Sequence, residues 1–557
     1  MRILSTLKNN CKNCYKCIRK CPIKAIEFSN FQAQIIDEDC VLCGICYTVC
    51  PQEAKRLVSD LDFIKTWLLQ GDDIYISIAP SYLSDFYKSD FTSIKNAFLK
   101  LGFKDVYQTA EAATHVKKDY EHKLAKLDEK VLISSCCPTV NLLIQKHYPS
   151  LIPFLADTPS PMVVHGDQIK KKHPNSKVVF VGPCISKKHE QIMNKDYIDA
   201  ILTFEDAKQW FQDDHIAFEK LSKTPDHIGR TNQFPTAGGI IKSFTHYEPS
   251  IHYLAIDGME GCIDALEDIK NGIIDNCFIE MSACKGSCTG GPLRNRKQNT
   301  PVKSLININR HLIDEDYAHK DYHIDFKMTF DNLASHRKSL SDEAIQSILT
   351  KMGKSSPKNQ LDCGSCGYNT CKEKAAAIYL GKADLTMCLP YLKDKAESFS
   401  DHVIHSSPNG VIVLNEKLHI QIMNQSACTM LGLKNNDAAL KEHIGVIKDP
   451  TLYYTFIEKE RKKYHKRYYY AENERYIDET IVYDDTFNIY VCILRDITQE
   501  VKRQKAKAET KKQALKITDD VLLKQMRAVH EIASLLGETT ADSKAALTKL
   551  KAVINDE

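Results

Sequence analysis

Apolar positions along the chain follow two periodicities. Between about 60 and 350, short β-type runs alternate with helix-like segments, the pattern of α/β architecture. Four of these runs lead into unusual residues. Ile76-Ser-Ile78 precedes Ala79-Pro80-Ser81, and Val131-Leu-Ile133 precedes Ser134-Ser-Cys136-Cys137. Val178-Val-Phe-Val181 precedes Gly182-Pro-Cys184, and Cys277-Phe-Ile279 precedes Glu280-Met-Ser-Ala-Cys284. Ligands of open α/β sheets bind beyond the carboxyl ends of strands, so the four stretches are predicted to line one crevice. A second β-rich region, with strands over 411–414, 420–423 and 490–494, occupies about 394–498. After Thr498 the pattern turns helical. Val501, Ala508, Leu515, Leu522, Val529 and Leu536 recur every seven residues, while Lys505, Lys512, Asp519, Met526 and Ala533 are apolar only in the second half. This reads as a coiled coil strongest over 522–536, or as one amphipathic helix packed on its own domain. Gly537 then breaks it, and Thr539-x-x-Asp542 can cap a second helix through Leu550 to give a helical hairpin.

A length of 557 residues allows roughly three to five domains. The balance of 43% hydrophobic and 26% charged residues is that of a soluble globular protein, and a net charge of +3 gives no global pull toward nucleic acid or membrane. Met1 to Asn10 is short and polar, unlike a secretory signal, and no apolar run reaches membrane-spanning length. The predicted compartment is the cytoplasm. There, 21 cysteines argue for metal ligands and not disulfides.

The first 55 residues contain a repeat: Cys11-x2-Cys14-x2-Cys17-x3-Cys21-Pro22 and Cys40-x2-Cys43-x2-Cys46-x3-Cys50-Pro51. This is the spacing of bacterial two-cluster ferredoxins, in which the fourth cysteine of each repeat serves the other cluster. One [4Fe–4S] cluster is assigned to Cys11, Cys14, Cys17 and Cys50, the second to Cys40, Cys43, Cys46 and Cys21. Zinc sites rarely use four cysteines per repeat followed by proline. The implied role is electron relay. Farther on, Cys363-x2-Cys366-x4-Cys371-x16-Cys388 brackets an alanine-rich helix over 372–380, with Gly364 and Gly367 at the tight turn. It resembles a small [4Fe–4S] domain of electron-transfer and corrinoid-linked proteins. Four sulfurs without histidine suit an iron–sulfur cluster, with a structural zinc knot as the alternative.

The cysteines at the strand ends, Cys136-Cys137, Cys184, and Cys284-x3-Cys288 on a glycine-rich turn, resemble the three signature loops of the [FeFe]-hydrogenase catalytic domain over about 60–350, with the ferredoxin repeat upstream as in that family. The resemblance implies that Cys137, Cys184, Cys284 and Cys288 hold a [4Fe–4S] cluster. It also implies that Cys288 bridges to a di-iron subcluster carrying CO, cyanide and a dithiolate. Cys136 matches the thiol that passes a proton to the dithiolate amine. Lys187 matches the lysine that pairs with one cyanide, Pro80 and Ser81 fall where the family contacts the other, and Glu190 keeps the acid that follows the lysine. Once Cys136 is counted as a proton thiol, Cys262, Cys277, Cys428 and Cys492 remain, and these read as core residues.

The chain departs from the family at several of these points. Val140 stands where an aromatic residue is usual, and Ser282 and Gly182 each replace a methionine. Ser282 puts a hydrogen-bonding hydroxyl beside the implied di-iron unit. Thr289-Gly-Gly-Pro292 is shorter than the usual glycine-rich ending and lacks its glutamine. The window Ala112 to Glu121 lacks the paired glutamates of the proton route, leaving Asp119 and Glu121 as nearby acids. Retained ligands in an altered surrounding imply slow or redox-restricted chemistry.

Pro408-Asn-Gly410 before the strand at 411–414, Asn424 after the next strand, and Asp496-Ile-Thr498 before the terminal helix resemble a PAS domain. The basic, tyrosine-rich run Arg461 to Tyr470 reads as a solvated face and not a nucleic-acid site. The predicted fold class is multidomain α/β. It comprises a ferredoxin-like α+β domain (1–58), a two-lobed α/β hydrogenase-like domain (59–355), a small helical [4Fe–4S] domain (356–393), a PAS α+β domain (394–499) and a helical coil (500–557). The leading expectation is a sensor in which H₂ or redox poise sets the state of an H-cluster and the extra cluster conveys it to the PAS domain. The coil then signals to a kinase or phosphatase, with a homodimer in view. The alternatives are a ferredoxin-linked hydrogenase catalysing 2H⁺ + 2e⁻ ⇌ H₂, and an iron–sulfur redox sensor without the di-iron unit. An electron-carrier protein such as ferredoxin is the expected redox partner.

Overall fold

In a computed structural model of the chain, the residues described are 2–86, 89–127, 130–218, 228–294, 300–310, 312–317, 322–335, 340–434, 439–458, 462–536 and 541–555. They divide into two compact units, Met1–Leu392 and Lys393–Glu557. The ferredoxin-type repeat, the central α/β region and the Cys363–Cys388 module, separate in the sequence reading, share the first unit.

The central region contains two parallel sheets. In one, strand Ile74–Ile78 lies between Asp105–Gln108 and Lys177–Gly182, and Ala200–Thr203 completes the edge. In the other, Cys277–Ser282 lies between His252–Asp257 and Val131–Ile133. All these pairs are parallel, so helices cross over between them. The central strands of the first sheet bury nearly every side chain, as the continuous apolar runs require. The strand predicted to stop at Ile279 continues to Ser282, because His252–Asp257 pairs with it along its whole length. Glu280 and Ser282 are therefore strand residues. The four predicted strand ends come from two sheets and not one, each sheet packed on its own apolar core.

The N-terminal repeat folds as two short helices, Lys16–Lys20 and Ile45–Val49, with the hairpin Ile26–Ser29/Gln32–Ile35 and the pair Leu4–Thr6/Lys55–Leu57. In the Cys363–Cys388 module the alanine-rich helix spans Cys371–Tyr379, one residue earlier than predicted, with Thr370 accepting from the Glu373 amide as its cap.

The helix Leu389–Ser406 carries the chain into the second unit. There a five-stranded antiparallel sheet has the order Ile420–Met423, Gly410–Asn415, Ile489–Asp496, Arg475–Asp484, Lys463–Tyr470. Asn424 fixes its entrance: Oδ1 accepts from the amides of Val411 and Ala427, and Nδ2 donates to the carbonyls of Ile404 and Asn409. The tyrosine-rich run is the edge strand, its outward face exposed. Helix Thr498–Leu536 follows, and Ala541–Asn555 packs back on it through Lys551 and Asp519 at 2.9 Å. The predicted break at Gly537 and the cap residue Thr539 lie outside the described residues. Cys262 and Cys277 sit in the core behind the second sheet, and Cys428 and Cys492 in the core of the second unit.

Candidate metal centre

Each of the four central strands ends at one cavity of about 110 Å³. Pro80 and Ser81 reach it from Ile74–Ile78, Cys184 and Lys187 from Lys177–Gly182, Cys136 and Cys137 from Val131–Ile133, and Ser282, Cys284 and Cys288 from Cys277–Ser282. Proline at the first turn of helix Pro138–His147 fixes the exit from Cys137. Gly286, at φ +82°, lets the last loop turn where a Cβ would lie 2.6 Å from Pro301. Thiols separated by long stretches of sequence thus share one enclosure. Burial pushes the Cys288 and Cys136 thiols up to about 12 and Cys284 well above its ordinary value, with neighbouring thiols adding to the shift at Cys284 and Cys288.

The polar groups around the sulfurs are arranged for a further ligand-bearing group. Ser81 is 1% exposed and its Oγ has no hydrogen-bond partner, a costly state unless something in the cavity accepts from it. Lys187 Nζ donates to Glu190 Oε2 at 2.6 Å and to Ser160 Oγ at 2.9 Å, so Glu190 holds the ammonium at the cavity wall without lining it. Ser282 Oγ and Ser287 Oγ are 2.8 Å apart. Phe180 stands where a side chain at Gly182 would project, since a Cβ there would meet its ring at 2.7 Å. Val140 is fully buried in the core behind the second sheet.

Neither predicted acid reaches Cys136. Asp119 is held by Lys123 and by Thr158 Oγ1, the latter at 2.6 Å. Glu121 accepts from Thr245 and His246. The residue between them does reach it: Tyr120 Oη lies 3.3 Å from Cys136 Sγ and 3.0 Å from Ser135 Oγ. Helical periodicity could have found it, since Tyr120 falls on the same face as the buried Ala113, Val116 and Leu124. Met162, Phe234 and Pro235 also line the cavity and carried no signal in the sequence.

Three further sulfur sets are assembled. Cys11, Cys14, Cys17 and Cys50 line one small cavity, which brings the last cysteine of the second repeat beside the first three of the first. Cys21, Cys40, Cys43 and Cys46 interact electrostatically with one another and form the second set. Cys363, Cys366, Cys371 and Cys388 line the third, with Lys374 beside them. Among the described residues, no three His, Cys, Asp or Glu side chains gather closely enough for a single metal ion. Sulfurs ringing a cavity fit a multi-iron cluster better than a tetrahedral zinc.

Comparison with known proteins agrees with this geometry. Residues 72–292 match the family model for the iron-only hydrogenase large subunit, C-terminal domain. Over that stretch the chain is similar to the iron-only hydrogenase large subunit. Flanking it, residues 10–54 match a 4Fe-4S dicluster domain, 359–390 a putative Fe-S cluster domain and 398–503 the PAS fold. The periplasmic [Fe] hydrogenase large subunit of Nitratidesulfovibrio vulgaris is 24% identical over 253 residues, covering 35% of this chain and 60% of that protein. A cytosolic Fe-S cluster assembly factor of Kluyveromyces lactis is 25% identical over 169 residues, covering 28% of this chain and 36% of that protein. The chain thus spans less than two thirds of either relative. Among solved structures, a variant of the [FeFe]-hydrogenase HydA1 from Chlamydomonas reinhardtii aligns over 50% of this chain and all of its own, with 13% identity and a TM-score of 0.40. The PAS domain of an HTR-like protein from Haloarcula marismortui aligns over 19% of this chain and 99% of its own, with 20% identity and a TM-score of 0.16.

Proposed function

We propose that this hydrogenase-like iron–sulfur protein senses H₂ or redox state at an H-cluster-type site and signals through its PAS domain and terminal helix. The observation that carries the reading is one cavity ringed by Cys137, Cys184, Cys284 and Cys288, with Cys136 and Lys187 on its wall, in a chain that continues into a PAS fold. The domain limits proposed are those read from the sequence: 1–58, 59–355, 356–393, 394–499 and 500–557.

The four cysteines would hold a [4Fe–4S] cluster, and Cys288 would join it to a di-iron subcluster with CO, cyanide and dithiolate ligands. Such a group supplies reversible interconversion of H₂ with protons and electrons. The chain's own residues do the rest. Lys187, kept charged by Glu190, offers a point cation and Ser81 a free hydroxyl to anionic ligands. Cys136, a neutral thiol at pH 7, holds a proton at Sγ, and Tyr120 Oη is the group beside it. Ser282, tied to Ser287, places a hydroxyl where a flexible apolar side chain is expected. Apolar Met162, Phe180 and Phe234 exclude water.

On the output side, Ile517, Val521, Met526, Val529 and Ile532 are exposed along helix Thr498–Leu536. That stripe supports a coil engaging a second copy or a kinase or phosphatase. Cys14 is exposed, the side on which a ferredoxin-type electron carrier would exchange electrons. The proposed compartment is the cytoplasm, whose reducing conditions suit a chain with 21 cysteines serving mainly as metal ligands. Among the described residues no helix is long and apolar enough to cross a membrane.

Infrared spectroscopy of the chain matured without oxygen tests the reading. CO and cyanide bands that shift under H₂ are expected, with turnover slow against fast hydrogenases. High turnover favours the ferredoxin-linked hydrogenase, which the Cys136–Tyr120 contact also supports. Absence of the bands favours a redox sensor without the di-iron unit, a reading supported by the similarity to an Fe-S cluster assembly factor.

A further inference from the structure

We propose that the Cys21, Cys40, Cys43 and Cys46 set is a three-way electron junction, with the Cys363–Cys388 module docked directly on it. The proposal rests on reading the cysteine sets as [4Fe–4S] sites. It replaces a linear series, in which the fourth cluster follows the hydrogenase cavity, with a branch.

The seat is the turn between Cys17 and Cys21. Gly367 approaches it so closely that a Cβ would lie 2.9 Å from Ile18 Cγ2, and its φ of +95° excludes most other residues. Tyr368, 4% exposed, packs in one apolar cluster with Cys21 and Cys366. The aromatic ring therefore bridges two ligand sets. Polar contacts fix the module around it. Arg19 donates to the Ser365 carbonyl at 3.1 Å, Lys24 to the Gly367 carbonyl at 3.1 Å, and the Phe28 amide to the Lys382 carbonyl at 2.8 Å. Lys382 pairs with the buried Asp39 at 2.5 Å.

The same set meets the hydrogenase cavity on its other side. A Cβ at Gly44 would lie 2.5 Å from Pro292 and 2.8 Å from Ile185, the neighbours of the Cys288 and Cys184 loops. Covalent continuity through helix Lys16–Lys20 joins it to the Cys11, Cys14, Cys17 and Cys50 set.

The step is one electron. The cluster that the Cys21 set would hold would give up one electron and the cluster that the Cys363 set would hold would take it up, with no bond made or broken. The electron comes from H₂, which gives two protons and two electrons at the cavity, or from a reduced ferredoxin-type protein. The state of the fourth cluster then reports the balance of both sources, which suits a sensor.

The test uses the full chain, reconstituted without oxygen, wild type against Cys371→Ser/Cys388→Ser, with iron content and electron paramagnetic resonance as readouts. Wild type poised at intermediate potential should show magnetic splitting between two reduced clusters. The double substitution should remove about four iron atoms per chain together with that splitting. A wild-type spectrum equal to the sum of uncoupled signals overturns the junction while leaving the clusters in place. Splitting that vanishes with Cys14→Ser, which addresses the outer set, also overturns it. Iron content unchanged by the double substitution sinks the cluster reading and the junction together. Should the substituted module unfold, the wild-type splitting and the Cys14→Ser control decide alone.

Discussion

The hydroxyl of Tyr120 lies 3.3 Å from the thiol of Cys136, with Ser135 Oγ at 3.0 Å on its other side. Tyr120→Phe keeps the ring against Phe278, 5.5 Å between centroids, and removes the hydroxyl's contacts with Cys136, with Ser135 Oγ and with the Ser135 amide. The expected stability cost is about 1 kcal/mol. The S–H stretching band that Cys136→Ser abolishes should move to the position of an unbonded thiol. If Cys136 handles protons, hydrogen–deuterium exchange with H₂ should slow by about 10²-fold. An unmoved band would remove Tyr120 from the proton route.

Glu280 is buried and accepts from the amides of Ile240 and Ile241, each at 3.0 Å. Burial pushes its carboxyl up from 4.5 to about 7. The folded chain therefore keeps a proton that the unfolded chain releases. Stability falls as pH rises from 4.5 to about 7, and the loss persists above 7, with a size of about 3 kcal/mol. Glu280→Gln should flatten that slope. In infrared spectra a protonated-carboxyl band should disappear between pH 5 and 9 in wild type and be missing in the variant.

Gly44 adopts φ +73° and packs against Pro292 and Ile185. Gly44→Ala adds a left-handed alanine, about 1–2 kcal/mol, and a methyl inside contact distance of both neighbours. Electron arrival at the cysteine-ringed cavity should slow while iron content stays constant, as followed by rapid-mixing absorbance. Equal rates in the two proteins would mean that this contact does not set the transfer.

Lys374 is fully buried beside the Cys363 set, with Nζ 3.1 Å from Met387 Sδ and 5.4 Å over the Tyr368 ring. Among the described residues no carboxylate forms an ion pair with it. A buried cation favours the more negative, reduced state of a cluster. Lys374→Met should therefore lower the midpoint potential of that cluster in a potentiometric titration, with its iron retained.

In the second unit Glu479 is fully buried and accepts from Lys448 at 2.6 Å, Tyr453 at 2.8 Å and Tyr468 at 2.9 Å. Lys448→Met strands the carboxylate and should cost about 3–5 kcal/mol. Lys448→Met with Glu479→Leu should recover most of it. Denaturant unfolding followed by tyrosine fluorescence checks both, and an equal loss in the double variant would argue that shape and not charge is at issue.

Spacing made the cysteine runs of 11–50 and 363–388 legible as ligand sets, with the crossing of Cys21 and Cys50 taken from the two-cluster ferredoxin pattern, while the grouping of Cys137, Cys184, Cys284 and Cys288 was implied by the family resemblance and not by spacing. The strand ends before Pro80, Cys136 and Cys184 were legible because a buried parallel strand must be a continuous apolar run, whereas the strand read as stopping before Glu280 runs on to Ser282. Tertiary structure decided what touches across long separations. It gathered those ends from two sheets into one cavity, turned Tyr120 and not Asp119 or Glu121 toward Cys136, and seated Gly367 on Ile18. These contacts depend on helix rotation and on the shape of buried surfaces, which are set by the packing of every neighbour at once and leave no period in the chain.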